Sequence, residues 1–181
     1  METVRSFISI KIPLTPSVRK VQGKLREIKG VNVSDDVHLT LRFLDEVELR
    51  KIKELSECMR SLEKYHSFKV SVKGLGAFPN VKDPRIIWIG ADMGEPFYDI
   101  LSELDIMLDA SSIYYDKKPF KAHVTMGRVK SPSVELGDLL SEEKNLDAGS
   151  FVCSEISLMG SKLTSRGAVH SAISSFKLIK D

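Results

Sequence analysis

Two short stretches of the chain each place a threonine two positions after a histidine. The first reads "HLTLRF" from His38, and the second reads "HVTMGR" from His123, nearly half the chain later. Alternate side chains of a strand point to the same face, so each stretch would present an imidazole and a hydroxyl side by side. An imidazole exchanges a proton near neutral pH, and a hydroxyl can donate a hydrogen bond to an anionic oxygen.

Two such strands facing one cleft predict acid–base chemistry on a phosphodiester. One imidazole, when neutral, can take a proton from water or a hydroxyl, and the other, when protonated, can give a proton to the leaving oxygen. The hydroxyls of Thr40 and Thr125 would bind the non-bridging phosphate oxygens. Neither motif contains a His-x-His or His-Glu pair, and no cysteine cluster is nearby, so we expect no metal and no other cofactor.

Strict strand alternation also sorts the residues that follow the first motif. It predicts that His38, Thr40 and Arg42 share one face of the strand, while Leu41 and Phe43 share the other. A contact between Phe43 and a ligand near the histidine would then need a bulge or a twist in the strand. Burial of Phe43 in the core is the alternative.

A small basic cluster precedes the second motif. It consists of Lys117, Lys118 and Lys121, and its charge could attract RNA; a solvated loop is the alternative. The net charge of the whole chain is only +2. This value excludes a heavily basic coat for nucleic acid but allows a local basic cleft.

The same order of elements surrounds both motifs. The first half begins with a strand in "RSFISIKI" and a helix that starts at Thr15 and Pro16. The first motif strand follows, then a helix preceded by the capping pattern of Asp45 and Glu48, then a strand in "FKVSVKGL". The second half repeats this order with "PRIIWIGA", a helix, the second motif strand, a short helix from Ser133 and "SFVCSEISL", and a last strand, "AVHSAISSFKLI", comes after it. The duplication predicts a pseudo-twofold site to which each half contributes one motif.

The composition is that of an ordinary globular protein. The chain has 181 residues, of which 42% are hydrophobic and 29% charged, as is typical of one soluble domain. The longest apolar runs fall short of the roughly 18 residues that a membrane span needs, and "METVRSFISIKIP" lacks the pattern of a signal peptide. Cys58 and Cys153 lack the spacing of a metal site or a redox pair, so we expect reduced thiols in a cytoplasmic protein.

Other candidate motifs predict less. The stretch "GLGAFP" from Gly74 lacks the third glycine of a dinucleotide-binding loop, and we interpret it as a turn. The sequence has no G-x-x-x-x-G-K-[ST] loop for a nucleoside triphosphate. Of the remaining histidines, His66 is interpreted as a solvated residue at a helix end, and His170 lies in the last strand, from which it could line the cleft.

The sequence resembles the 2H phosphoesterase superfamily and, within it, the RNA 2′,3′-cyclic phosphodiesterases, also called 2′-5′ RNA ligases. The resemblance covers nearly the whole chain and is carried by "FISIKIP", "HLTLRFLDEV", "GLGAFPNVKDPRIIWIG", "FKAHVTMGRVK" and "ISLMGSKLTSRGAVHSAISSFKL". It implies one domain with a bilobal α+β fold, in which antiparallel sheets carry helices on their outer sides and the cleft holds both motifs. The two pseudo-repeats would span about residues 1–84 and 85–181.

The resemblance also implies an activity. The enzyme would hydrolyse a 2′,3′-cyclic phosphate at an RNA end to a 2′-phosphate. With a ribose hydroxyl in place of water, the strained cyclic ester would allow two RNA ends to be joined through a 2′-5′ linkage without ATP. The implied partners are RNA ends, including those of tRNA or tRNA halves, and the protein would act as a monomer.

The same resemblance implies roles for individual residues. His38 would be the general acid that protonates the leaving 3′ oxygen, and His123 the general base that activates water. The reverse assignment stays open because the two motifs are symmetric. Thr40, Thr125 and Arg128 would bind the phosphate. The further candidates for contact with a base or with the RNA chain are Phe43, Arg42 and Lys121.

Three residues depart from the family's pattern. Asp45 stands where glycine is usual and can serve as a helix N-cap, so we expect little effect from it. Ala122 replaces a common proline before the second motif, which would loosen the approach to that strand. His170 replaces a common tyrosine, so contacts of that tyrosine with a base or a sugar do not carry over.

Two other functions fit the same residues. A different 2H enzyme would act on a small cyclic nucleotide or on 2′-5′-linked oligonucleotides. A non-catalytic module would bind a terminal phosphate of RNA without turning it over. Threonine, arginine and lysine would suffice for binding alone, so the paired histidines favour an enzyme.

Overall fold

Nine strands and four α-helices make up the part of the chain that the structure, a computed structural model, describes: residues 2–131, 134–165 and 167–180. The strands are β1 (Thr3–Lys11), β2 (Val31–Val33), β3 (His38–Glu48), β4 (Phe68–Pro79), β5 (Pro84–Met93), β6 (His123–Val129), β7 (Asp147–Cys153), β8 (Glu155–Thr164) and β9 (Gly167–Lys177). The helices are α1 (Pro16–Arg26), α2 (Leu49–Met59), α3 (Pro96–Ala110) and α4 (Gly137–Glu142), with a 3₁₀ helix at Arg60–Lys64.

All nine strands belong to one sheet with the order β7-β4-β5-β6-β3-β1-β8-β9, and β2 pairs with β6 beside this path. Every pairing between these strands is antiparallel. At the middle of the sheet β3 meets β6 through the single pair Leu39–Val124. The sheet therefore has two halves, β3-β1-β8-β9 and β7-β4-β5-β6, joined at the two motif strands. This architecture confirms the α+β class with antiparallel strands.

The two halves of the sequence are interleaved in the sheet. Strand β4, from the first half of the chain, pairs with β5 and β7, whereas β8, from the second half, pairs with β1. The stretch "SFVCSEISL" is therefore two strands, and its interpretation as one strand was wrong. The burial shows why: Cys153 and Ile156 are both buried, and three positions apart they cannot share a face of one regular strand.

The stretch "GLGAFP" is not the turn that we expected, because Gly74–Pro79 forms the second part of β4. Gly74 lies at a shift in the register between β4 and β5 and has a φ of +74°, a conformation that favours glycine. Its N–H donates to the carbonyl of Leu146 at 2.7 Å. The glycine therefore makes a bulge within the strand.

The capping chemistry of the first two helices differs from one to the other. At α1 the hydroxyl of Thr15 accepts a hydrogen bond from the N–H of Val18 at 3.3 Å, and Pro16 is the first helical residue, as predicted. The capping pattern predicted for α2 was wrong, because Asp45 lies within β3 and Glu48 makes no side-chain cap bond. Ser133, the predicted start of the fourth helix, lies outside the described residues.

The helices leave one face of the motif strands open. Helix α1 contacts β2, β6 and β7, while α2 contacts β3 and α3. Leu39 and Val124 are buried in the apolar core, whereas the motif histidines and threonines are only partly buried. The longest described helix, α3, has 15 residues, and none in the described ranges is long and apolar enough to cross a membrane.

Candidate active site

The two motif strands bring their histidines and threonines together at the middle of the sheet. Leu39 lies opposite Val124 in the antiparallel pair, so on the other face His38 falls beside Thr125 and Thr40 beside His123. Opposite residues of such a pair have Cβ atoms about 4.5–5.5 Å apart, and diagonal neighbours lie about 7–8 Å apart. The register therefore alternates imidazole and hydroxyl across the junction of the two motif strands.

Each motif strand carries a β-bulge directly after its threonine. Against β1, Thr40 pairs with Ser9 and Arg42 with Ile8, which leaves Leu41 without a partner. Against β5, Thr125 pairs with Trp88 and Gly127 with Ile87, which leaves Met126 without a partner. A bulge inserts one extra residue and reverses the alternation of the side chains beyond it. The residue five positions after each histidine therefore returns to the open face.

The bulge places Arg42 and Phe43 opposite to the prediction from strict alternation. Arg42 is buried, with 8% of its surface exposed, and points into the core. Phe43 is 42% exposed, and the guanidinium carbon of Arg5 lies 5.1 Å from the centre of its ring. The prediction that Arg42 faces the cleft is therefore wrong, and so is the core interpretation of Phe43.

Arg128, Lys121 and His170 occupy different places around the open face. Arg128 is the second-motif counterpart of Phe43, is exposed, and stands between Asn32 of β2 and Ile86 of β5. The side chain of Lys121 is exposed just before β6. His170, from β9, comes next to the first motif histidine and contacts its ring.

His38 is held by rings. Its imidazole stacks on Phe7 at 5.0 Å between ring centres, and the edge of His170 approaches it at 5.4 Å. Burial lowers the pKa of His38 from its usual value, and the charge of His170 lowers it further. The carboxylate of Asp36, 3.8 Å from the Nδ1 atom of His38, acts in the opposite direction. The free site therefore favours the neutral imidazole at this position.

His123 is held by the main chain. Its Nδ1 atom lies 2.7 Å from the carbonyl oxygen of Lys121. Because a carbonyl can only accept, Nδ1 carries the proton and Nε2 is left for proton transfer. Phe78 packs edge-on against the imidazole at 5.1 Å and also contacts Trp88 at 5.2 Å.

The sequence interpretation missed the groups that surround the motif histidines. Phe7, Phe78 and Trp88 come from neighbouring strands, and Asp36 comes from the loop before β3. The only signal for them was their place in alternating strands or beside a motif, which many other residues share.

A cavity of about 530 Å³ lies beside His38. Polar side chains form part of its wall, contributed by Ser9, Lys11, Asp36, Glu155, Ser157 and His170, and apolar side chains such as Met159 and Val169 form the rest. Its size and its mixed lining suit a ligand with polar and apolar parts, such as part of a nucleotide. Among the described residues no group of three or more His, Cys, Asp or Glu side chains could hold a metal ion.

Comparisons with known proteins identify the family of the chain. Residues 10–88 match the family model described as LigT like Phosphoesterase. A Methanothermobacter thermautotrophicus protein named RNA 2′,3′-cyclic phosphodiesterase is 30% identical, over 97% of this chain and 99% of its own length. One with the same name from Methanocaldococcus jannaschii is 32% identical, over 94% and 98%. The solved structure of TT0787 from Thermus thermophilus is 25% identical, with a TM-score of 0.79 over 96% of this chain and 97% of that one. The chain therefore belongs to the LigT-like phosphoesterase family, whose curated members matched here are named RNA 2′,3′-cyclic phosphodiesterase.

Proposed function

We propose that this protein is an RNA 2′,3′-cyclic phosphodiesterase, which hydrolyses a cyclic phosphate at an RNA end to a 2′-phosphate. The observation that supports the proposal is the pairing of Leu39 with Val124, because its register puts two imidazoles and two threonine hydroxyls in alternation on the opposite face of the sheet. The names of the two relatives described above agree with this activity. Two proton carriers and two hydroxyl donors are what in-line attack on a phosphodiester requires.

His123 is the general base in this proposal. Its Nδ1 proton is donated to the Lys121 carbonyl, which leaves the Nε2 lone pair for a water molecule. As the water oxygen attacks phosphorus, the water proton passes to Nε2 of the imidazole. The new P–O bond replaces the bond between phosphorus and the 3′ oxygen, while the 2′ oxygen keeps the phosphate.

His38 is the general acid. The leaving 3′ oxygen takes a proton from its imidazolium, so both proton transfers balance. Burial lowers the pKa of His38 in the free protein, and a bound phosphate anion raises it again because opposite charges attract. Substrate binding therefore recruits the protonated form that the step needs, and the carboxylate of Asp36 assists it.

The remaining candidates bind the substrate. Thr40 and Thr125 donate to the non-bridging oxygens of the phosphate, and the exposed guanidinium of Arg128 adds a charged contact. Phe43 offers a ring face for a nucleobase on the open face, with Arg5 beside it. The side chain of Lys121 contributes positive charge for the RNA chain.

Turnover of three substrates tests the proposal. They are an RNA with a 2′,3′-cyclic phosphate end, a 2′,3′-cyclic mononucleotide and a 2′-5′-linked oligonucleotide. We expect the first to be hydrolysed with the highest kcat/KM and to give a 2′-phosphate. Preference for either of the others would indicate a different 2H enzyme. Tight binding of the cyclic-phosphate RNA without product would indicate a non-catalytic module.

Ligation and the identity of the RNA stay predictions from the sequence resemblance. Addition of an RNA with a 5′-hydroxyl end should give a 2′-5′-linked product without ATP, because the ribose hydroxyl replaces water as the nucleophile. Paired tRNA halves are the substrates that we expect to be joined. Light scattering during size-exclusion chromatography should show a monomer.

A further inference from the structure

Arg42 is a buried cation, and each of its three guanidinium nitrogens donates a hydrogen bond. Its Nε and Nη2 atoms donate to the two carboxylate oxygens of Asp105 on α3 at 2.7 and 2.8 Å, and Nη1 donates to the carbonyl of Leu41 at 2.9 Å. A buried charge is costly unless it is paired and hydrogen-bonded. These bonds meet that need and fix the plane of the guanidinium group.

The guanidinium of Arg42 also contacts two aromatic rings. Its central carbon lies 5.5 Å from the ring centre of Tyr115 and 5.7 Å from that of Phe120. Both rings belong to the segment between α3 and β6, which forms neither helix nor strand. Contacts between a guanidinium and an aromatic face are attractive, more so when they are shielded from water. Arg42 therefore anchors a segment with no hydrogen-bonding ladder of its own.

That segment ends at the second motif histidine. Phe120 immediately precedes Lys121, whose carbonyl accepts the Nδ1 proton of His123. The residue after Lys121 is Ala122, and its carbonyl accepts a hydrogen bond from the N–H of Ala91 in β5 at 3.1 Å. The Lys121 carbonyl thus lies between Ala122, which is held by β5, and Phe120, which packs against Arg42 and against the ring of Phe97 on α3, 5.2 Å away between ring centres.

We infer that Arg42 is a positioning residue for His123, acting through Phe120 and the Lys121 carbonyl. The inference rests on the proposed role of His123 in the reaction. It makes the strand of the first motif responsible for the orientation of the second motif's imidazole. The connection runs in one direction, because the position in β6 equivalent to Arg42 is Gly127, which lies against the backbone of β2.

Two substitutions break the connection at different points. Arg42→Lys keeps the charge but loses the two-pronged bond to Asp105 and the flat surface for the rings. Phe120→Leu keeps an apolar side chain of similar size but removes the ring. We expect each substitution to lower kcat by about 10- to 100-fold, with a smaller change in KM. Substitution of a residue that orients a reacting group without touching the substrate typically lowers activity by this factor.

Nitrogen NMR of the histidine rings measures the orientation without an activity assay. In the wild-type protein the proton of His123 should lie on Nδ1, and in both variants the ring should become a mixture of tautomers, while the signals of His38 stay unchanged. Phe120→Tyr, which keeps the ring over Arg42, should retain both the wild-type tautomer and kcat. If Arg42→Lys does not fold, Asp105→Asn, which weakens the bond that fixes the guanidinium and leaves Phe97 and Phe120 unchanged, takes its place.

The control for a general loss of stability is Leu62→Ala, which empties a fully buried site in the 3₁₀ helix. It should lower the melting temperature without changing kcat or the tautomer of His123. The inference is overturned if Phe120→Leu, or folded Arg42→Lys, keeps the wild-type tautomer and kcat, or if Leu62→Ala causes the same loss. Full turnover by His123→Ala would instead refute the proposed function, and the tautomer of the Arg42 variant would still report on the structural connection.

Discussion

The strand that carries His38 and the strand that carries His123 share a pattern but hold their histidines by different contacts. Both have the histidine at the first residue and a bulge after the threonine. In β3 the imidazole rests on Phe7 and His170, and in β6 it is hydrogen-bonded to the carbonyl of Lys121. The difference teaches that the duplicated motif supplies the same histidine and threonine in both strands. The contacts around each imidazole then decide how readily that imidazole binds or releases a proton.

The residues beyond the two bulges extend the comparison. The core position holds Arg42 in β3 and Gly127 in β6, and the following open position holds Phe43 and Arg128, respectively. The open position thus holds an aromatic ring in one strand and a cation in the other. In the proposed function the ring would contact the base of a nucleotide and the cation its phosphate.

Loss of either motif histidine should give the largest effect. We expect His38→Ala and His123→Ala each to lower kcat/KM for cyclic-phosphate RNA by at least about 10²–10⁴-fold, because each removes a proton carrier. The double variant should be little worse than the worse single one, since acid and base act in one step. His66→Ala, which alters a histidine outside both motifs, is the control. Near-normal turnover by either His38→Ala or His123→Ala would indicate a mechanism that needs only one of the two histidines.

Removal of a motif hydroxyl should have a smaller effect. Thr40→Ala and Thr125→Ala each delete one hydrogen bond to a charged phosphate, which is worth about 1.5–3 kcal/mol. This corresponds to a loss of roughly 10- to 150-fold in kcat/KM. The matched control is Thr3→Ala, on an exposed threonine that bonds to Glu46. A loss from one motif only would show that the phosphate is held by one strand.

The pH dependence of turnover tests the groups that surround His38. Burial, and then the charge of His170, lower the pKa of His38, whereas Asp36 raises it. As the general acid, His38 must be protonated, so a change in its pKa moves one limb of the bell-shaped profile of kcat/KM. Asp36→Asn should move that limb to lower pH, and His170→Phe should move it to higher pH.

These shifts are read from kcat/KM over a range of pH, with Asp35→Asn as the control. Asp35 is paired with the exposed Arg26, so its substitution should leave the profile in place. Lys11 and Glu155 also line the cavity beside His38 and are kept constant in all variants. A profile that moves in neither variant would contradict a role for the protonation state of His38 in the reaction.

Of the two motif strands, only β3 contains a residue with a positive φ, which is Asp45. Asp45 follows a second register shift and has a φ of +56°. We expected Asp45 to replace the family's glycine with little effect because it would cap a helix, but Asp45 lies within a strand. Asp45→Gly should raise the free energy of unfolding, measured by denaturant titration, because it removes left-handed strain of about 1–2 kcal/mol, which exceeds the extra chain entropy of glycine, roughly 0.5–1 kcal/mol. The lost contact with Arg5 is long, at 3.8 Å, and exposed, so it should offset little of the gain. Destabilisation would show that Asp45 has a role beyond its backbone.

Chelation should have no effect at all. Excess EDTA should leave turnover of cyclic-phosphate RNA unchanged, because two imidazoles would do what a metal-bound water does in metal-dependent hydrolases. Turnover before and after dialysis against EDTA measures this. Loss of activity that a divalent cation restores would contradict a mechanism in which two histidines act without a metal.

Much of the fold and the core of the site follow from local sequence patterns. The alternating strands, the start of α1 at Thr15 and Pro16, and the two motifs depend on neighbours a few residues away. "SFVCSEISL" and "GLGAFP" were misread because a break in alternation and a bulge at Gly74 are small local signals. What they become depends on strands far away in the sequence.

The sequence by itself determined that two histidines and two threonines exist in matched settings, since residue type and spacing are enough to define the pair. Only the tertiary structure decided which way Arg42 and Phe43 point, because the bulge after Thr40 depends on the register of β3 against β1. It also decided what surrounds each imidazole. Rings from β1 and β9 hold one, and a carbonyl positioned by a distant arginine holds the other, since contacts between separate elements are set by packing and not by spacing along the chain.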